Sequence, residues 1–200
     1  MKAHNKTREP KVRTVTDLQS DWLSKKLFHI KKNGFGQEHI YPTQRVCEMH
    51  GKEFAYIRRK INKFTKEYPN AIWREYDSVR DYDKMMTLKK EWEDTAGEKY
   101  FRIIDATNYK SILHDHKKLD HKVFVVEIAG KIVGMISGQY LTTDKKKAVC
   151  FLRKPLNHIQ GLSEYLIYKL CCELNESEVL NDGGDGNAQG LRLPSPHYIS

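Results

Sequence analysis

The stretch KVFVVEIAGKIVGMISGQYL, residues 122–141, decides the fold. Its first half is rich in β-branched and aromatic residues, and Ala129-Gly130 breaks it as a hairpin turn does. In its second half both alternating faces are mostly apolar or glycine, the pattern of a strand covered on both sides. A third strand, KAVCFLRK (147–154), follows a polar Thr-, Asp- and Lys-rich turn. The sequence HIQGLSEYLIYKLCCEL (158–174) then changes to helical spacing, with Leu162, Tyr165, Leu166 and Leu170 on one side. SEVLNDGG (177–184) reads as a further short strand.

Working back from the sheet, GKEFAYIRRKINKFTKEYP (51–69) is the clearest helix. Phe54, Ile57, Ile61, Phe64 and Tyr68 make one apolar stripe, and Pro69 stops it. Arg58, Arg59, Lys63 and Lys66 fall outside that stripe. AIWREYD (71–77) is a short strand. SVRDYDKMMTLKKEWEDTAG (78–97) is a helix with Val79, Tyr82, Met85, Met86 and Trp92 expected inward, and another helix is expected around Asn108 to Lys117. Nearer the start, DLQSDWLSKKLFHIKK (17–32) carries Leu18, Trp22, Leu23 and Leu27 at helical spacing. Residues 1–16 read as a basic mobile arm. The order of elements predicts α+β (mixed α/β) architecture: a central, largely antiparallel sheet flanked by helices, in one domain over 17–200.

The chain has 200 residues and a net charge of +9, which favours partners that carry phosphates. No apolar run reaches the roughly 18–20 residues that span a bilayer. The start lacks the apolar core of a secretory signal, and Cys47, Cys150, Cys171 and Cys172 lack zinc-ligand spacing. They read as reduced thiols in a cytoplasmic protein, with no metal site. Asp182 and Asp185 sit among glycines in LNDGGDGNAQGLR (180–192), whose spacing matches neither a calcium loop nor a nucleotide-phosphate loop. That stretch suits either a close approach to a ligand or a tail. The Arg58–Lys60 run with Lys63 can grip phosphate or serve as a solvated helix face.

The segment around His158 and Gly161 joins a strand to a helix N-terminus, an arrangement that offers backbone N–H groups to a phosphate. It resembles, in altered form, the pyrophosphate loop of acetyl-CoA-dependent N-acetyltransferases, Arg/Gln-x-x-Gly-x-Gly/Ala, with His158 and Ser163 at its ends. A plain strand-to-helix connection is the other reading.

Taken together, GKEFAYIRRKINKFTKEYPNAIWREYD (51–77), EIAGKIVGMISGQYL (127–141), HIQGLSEYLIYKL (158–170) and LNDGGDGNAQGLR resemble the phosphatidylglycerol lysyltransferase C-terminal-type domain family over residues 37–192. RRK stands at 58–60 where the family has Lys-Arg-Asn. The resemblance implies an N-acetyltransferase-like fold, with this chain short of a two-lobed domain. It also implies a transferase moving an aminoacyl group from a charged tRNA, or another phosphate-bearing donor, to a lipid or small acceptor. On that reading Arg58, Arg59 and Lys60 meet the donor, and Asp182, Asp185 and Arg192 line the transfer cleft. Peripheral contact with anionic lipid is a further expectation. Two alternatives stand beside it: an acyl-CoA-dependent N-acetyltransferase using the Gly161 loop, and a non-catalytic nucleic-acid-binding module.

Overall fold

The computed structural model describes residues 38–96, 106–141 and 143–184. In chain order the elements are β1 (Glu38–Pro42), α1 (Thr43–Glu48), α2 (Ala55–Glu67), β2 (Ile72–Glu75), α3 (Ser78–Ala96), α4 (Ala106–Asp115), β3 (Lys122–Ile128), β4 (Lys131–Tyr140), β5 (Lys147–Pro155), α5 (Leu162–Glu173) and β6 (Val179–Gly184). The six strands form one sheet in the order β1-β6-β5-β4-β3-β2. Every neighbouring pair is antiparallel except β5 and β6, which are parallel and joined through α5. The mixed α+β architecture expected from the sequence is therefore present. The basic arm at 1–16 and the helix at 17–32 lie outside the described residues.

β4 is the centre of the sheet, and Ile132 to Gly138 are all buried. Its glycines set the distance of the helix above it. A methyl group on Gly138 would lie 2.8 Å from the Val149 carbonyl oxygen and 3.1 Å from Leu170 of α5. Helix α5 thus presses its Leu162, Leu166 and Leu170 row, all fully buried, onto the strand. The opposite face is covered by α3. Adjacent residues of β5 demonstrate the two layers: Arg153 reaches Ser163 of α5, whereas Lys154 lies 3.5 Å from the ring centre of Trp92 in α3.

The inward stripe of α3 differs from the expectation. Val79 is 95% exposed, and Asp81, Met85 and Leu88 are the buried residues. Val79 lies two residues, or about 200°, around the helix from Asp81, so both cannot face the sheet. Asp81 takes the inner position because Arg74 of β2 meets it with two hydrogen bonds of 2.6 and 3.0 Å. Arg74 also pairs with Glu127, and the Asp77 amide donates to Asp81 at 2.9 Å. Burial alone would raise the Asp81 carboxyl. The hydrogen bonds from Arg74, Arg80 and the Asp77 amide instead hold it well below the usual carboxylate range.

A carboxyl depressed on folding adds stability above its unfolded value, about 3.9, and loses that contribution as pH falls toward the folded value. Asp81→Asn is expected to be less stable than wild type by about 3 kcal/mol at pH 7. That difference should shrink steadily once the pH falls below about 4. Melting temperatures of both proteins across pH 2.5–8 check this.

Candidate functional site

The site begins where two parallel strands separate. β5 and β6 are paired at Lys147–Val179, Ala148–Leu180 and Val149–Asn181, and no further. Yet β5 continues to Pro155 against β4, and β6 continues to Gly184 against β1. The sheet therefore splits beyond Val149 and Asn181 into two diverging halves. The split comes with a bulge: Gly138 pairs with Cys150 and Ser137 with Leu152, leaving Phe151 as an extra residue on β5. Bulges bend a strand and re-aim its side chains, which helps β5 turn away from β6.

Two charged side chains stand across the split. Arg153 Nη2 on β5 is 2.6 Å from Asp182 Oδ2 on β6, and the side chains are 20% and 3% exposed. The contact is close but lies off the hydrogen-bonding direction, so Asp182 Oδ2 keeps its accepting capacity. Arg153 donates to Ser163 Oγ in the first turn of α5 at 3.2 Å. Burial opposes the guanidinium charge, and the Asp182 carboxylate more than offsets it, so Arg153 titrates above its ordinary value. Cys150 lies beside this pair. Burial, reinforced by Asp182, pushes its thiol well up, and a neutral buried thiol is not a nucleophile.

At the mouth of the split is the 156–161 connection. Gly161 precedes α5 with φ +80°, and no side chain caps the helix. A methyl group here would lie 2.2 Å from the carbonyl oxygen of Lys60 in α2, which places the α5 N-terminus directly against that helix. Lys63 Nζ donates to Gln160 Oε1 at 2.6 Å. Arg59 and Lys60 each stand 5.6 Å from the ring centre of Tyr56. A positive helix face and the uncapped start of another helix therefore adjoin each other.

The residues expected from sequence divide accordingly. Lys60, Lys63 and Gly161 come together, and Arg59 shares the Tyr56 ring with Lys60. His158 is exposed in the same connection. Arg58 turns away: its Nη1 donates to the carbonyl oxygens of Met49 and, at 2.7 Å, of Gly51, tying down the loop before α2. Asp182 lies in the split, while Asp185 and Arg192 lie outside the described residues. Ser163 stands at the end of the loop marked from sequence, whereas Arg153 is a site residue that the sequence reading misses. An arginine in the otherwise apolar run AVCFL-R is the signal that marks Arg153. Among the described residues no group of three or more His, Cys, Asp or Glu side chains is disposed to hold a metal ion, and no helix is long and apolar enough to cross a membrane.

Residues 2–181 match the family model described as "Phosphatidylglycerol lysyltransferase, C-terminal". Among solved structures, the chain is similar to a conserved protein of unknown function from Bacteroides thetaiotaomicron, with TM-score 0.69 and 20% identity over 81% of this chain and 55% of that one. It is also similar to the C-terminal domain (DUF2156) of a protein designated a lysylphosphatidylglycerol synthetase from Agrobacterium fabrum, with TM-score 0.56 and 18% identity over 75% of this chain and 47% of that one. The structure of L-PGS from Bacillus licheniformis matches with TM-score 0.54 and 17% identity, over 75% of this chain and 45% of that one. The chain spans about half the length of these structures. No curated protein sequence matches it.

Proposed function

The chain belongs to the phosphatidylglycerol lysyltransferase C-terminal family, and from that premise we propose that it is an acyltransferase-type domain whose donor carries phosphates. The donor's phosphates rest on the α5 N-terminus and on Lys60 and Lys63, and its acyl group extends into the split between β5 and β6. The observation that carries this reading is the juxtaposition of an uncapped helix start with a basic helix face at the mouth of a split sheet. Free N–H groups and ammonium groups then converge on one anion. Within the split, Arg153 supplies a fixed positive charge where the carbonyl oxygen becomes an oxyanion. Asp182 Oδ2, with accepting capacity to spare, receives the ammonium of an aminoacyl group. Catalysis on this scheme comes from positioning and charge stabilisation.

An aminoacyl-tRNA is the donor that the family name favours, with a lipid or small molecule as acceptor and anionic lipid as a peripheral contact. The Gly161 connection favours acyl-CoA as a second reading. The two separate by salt, because a polynucleotide releases more counterions than a single cofactor. Removing Lys60 and Lys63 together should lower the slope of log affinity against log salt by about 1.5 for tRNA. The double alanine variant should also weaken binding at least tenfold. Filter binding from 50 to 300 mM salt measures both. Unchanged affinity in a folded variant would remove these lysines from the donor site.

A further inference from the structure

The four cysteines come from separate parts of the chain, yet they gather around the C-terminal half of α5. Cys171 and Cys172 lie in its last turn, Cys150 in β5 and Cys47 in α1. They divide by access. Cys150 and Cys171 are buried, and burial pushes both thiols well above the usual range, which leaves them inert. Cys47 and Cys172 are only partly buried. Two ties bring α1 to this place. The Thr43 amide donates to the Glu178 carbonyl oxygen at 3.2 Å, and the Thr43 hydroxyl donates to that of Ser177. Cys47 stands one turn beyond Thr43 on the same side of α1, and Cys172 lies on α5 shortly before Ser177. α1 therefore packs along α5, and a side-chain hydrogen bond joins Cys47 to Cys172. Tyr168, one turn earlier on α5, hydrogen-bonds to Cys172 as well.

Two thiols in contact on separate helices are placed to join if one reacts first and the other follows. Burial, then the hydrogen bond and the charge of Cys172, push the Cys47 thiol up to about 12. Glu48 adds to the rise, and the Lys169 ammonium opposes it. At neutral pH Cys47 thus stays protonated while Cys172 is free, and Cys172 is the thiol that reacts first. Once Cys172 is bound to another sulfur, its charge no longer acts on Cys47. Lys169 then helps Cys47 to ionise at the step that needs it. The two residues are more than a hundred positions apart in the chain, and a bond closing so long a loop restrains the unfolded state strongly.

We propose that Cys47 and Cys172 are a modification site, a reversible disulfide that fastens α1 to the end of α5 and forms by exchange with a low-molecular-weight disulfide such as oxidised glutathione. The Cys172 thiolate attacks one sulfur of that reagent and expels a thiolate, which takes up the Cys172 proton. Cys47 then gives up its proton and attacks the Cys172 sulfur. The mixed disulfide breaks, and the second thiolate leaves with that proton. The protein loses two hydrogens, and the reagent is reduced to two thiols. The bond would fix the corner that leads from α1, through the Met49–Gly51 loop held by Arg58, into α2. No donor or acceptor takes part, so the proposal does not rest on the transfer reading.

The test equilibrates the whole chain with glutathione at graded ratios of oxidised to reduced form, alkylates the remaining thiols, and maps tryptic peptides by mass spectrometry. Peptides 46–52 and 170–192 are expected to be cross-linked, with two hydrogens lost. Cys47→Ser and Cys172→Ser are each expected to abolish the cross-link, and Cys171→Ala to keep it. The oxidised chain is expected to melt roughly 5–15 °C higher than the reduced one, and dithiothreitol to reverse the shift. Four results would overturn the proposal. They are thiols that stay alkylatable at the most oxidising ratio, glutathione held on single cysteines without a cross-link, a cross-link that survives Cys172→Ser, and an oxidised chain that melts no higher than the reduced one.

Discussion

Gly161→Ala is expected to be the most damaging single methyl addition among the described glycines. The residue has φ +80°, a conformation that costs an L side chain about 1–2 kcal/mol. The added carbon would also sit 2.2 Å from a backbone oxygen of α2, which no rotamer change relieves. Forcing the two helices apart adds about 1–3 kcal/mol. The sum, about 3 kcal/mol, corresponds to a fall in melting temperature of roughly 6–12 °C for a chain of this size. Gly130 supplies the control. Its φ is +79°, and a methyl group there meets nothing within 4 Å, so Gly130→Ala should show only the backbone part. Because the displaced element is the α5 N-terminus, Gly161→Ala should also weaken donor binding, and Gly130→Ala should not. Thermal unfolding and donor titration of the two variants make the comparison. Equal melting temperatures would mean that α2 and α5 are not held together at Gly161.

The second large effect concerns the charge pair in the split. Arg153→Met removes the cation and leaves Asp182 buried, 3% exposed, beside an apolar side chain. Breaking a buried pair from one side costs about 3–5 kcal/mol, because the remaining charge keeps its desolvation cost and loses its partner. Replacing both members, Arg153→Met with Asp182→Leu, removes both charges. The double variant should therefore recover most of the lost stability. It should still fail to transfer an acyl group, since the positive charge and the carboxylate are gone from the split. Stability and transfer are thus predicted to part in the double variant. If activity returned with stability, the pair would be a structural feature alone.

The sheet core was legible in the sequence because its signals are long and regular. Residues 122–141 fix a hairpin with a doubly covered second strand, and β3 and β4 form that hairpin. The α2 stripe was equally clear, although the helix occupies Ala55–Glu67 rather than the whole of 51–69. β1 and α1 were not foreseen. β1 is an edge strand of five residues with only Tyr41 buried, so it shows no alternation to detect. Val79 is apolar yet exposed because the inner position goes to Asp81 through its pair with Arg74, a contact between residues that are neighbours only after folding.

The site shows the same limit. Helical spacing put Lys63 outside the apolar stripe of its helix, and the strand-to-helix pattern put Gly161 at a helix start, but nothing local said that these elements meet. The split between β5 and β6 is a fact of register, and three paired positions out of two longer strands cannot be read from composition. Arg58 adjoins Arg59 and Lys60 in sequence, yet on the helix it points toward the Met49–Gly51 loop. The family resemblance was carried by motifs from residue 51 onward, whereas the family model matches from residue 2.

The central claim is that a phosphate-bearing donor binds at the mouth of the split. Amide shift mapping of the isotopically labelled chain with acetyl-CoA, and separately with an aminoacyl-adenylate analogue, tests it most directly. The predicted result is that at least one of them perturbs the amides of Gly161, Leu162, Ser163 and Glu164 together with those of Lys60 and Lys63, and that Asp182 responds to the aminoacyl compound. Perturbations confined to other surfaces, such as the β2–α3 edge, or none from either compound, would contradict it.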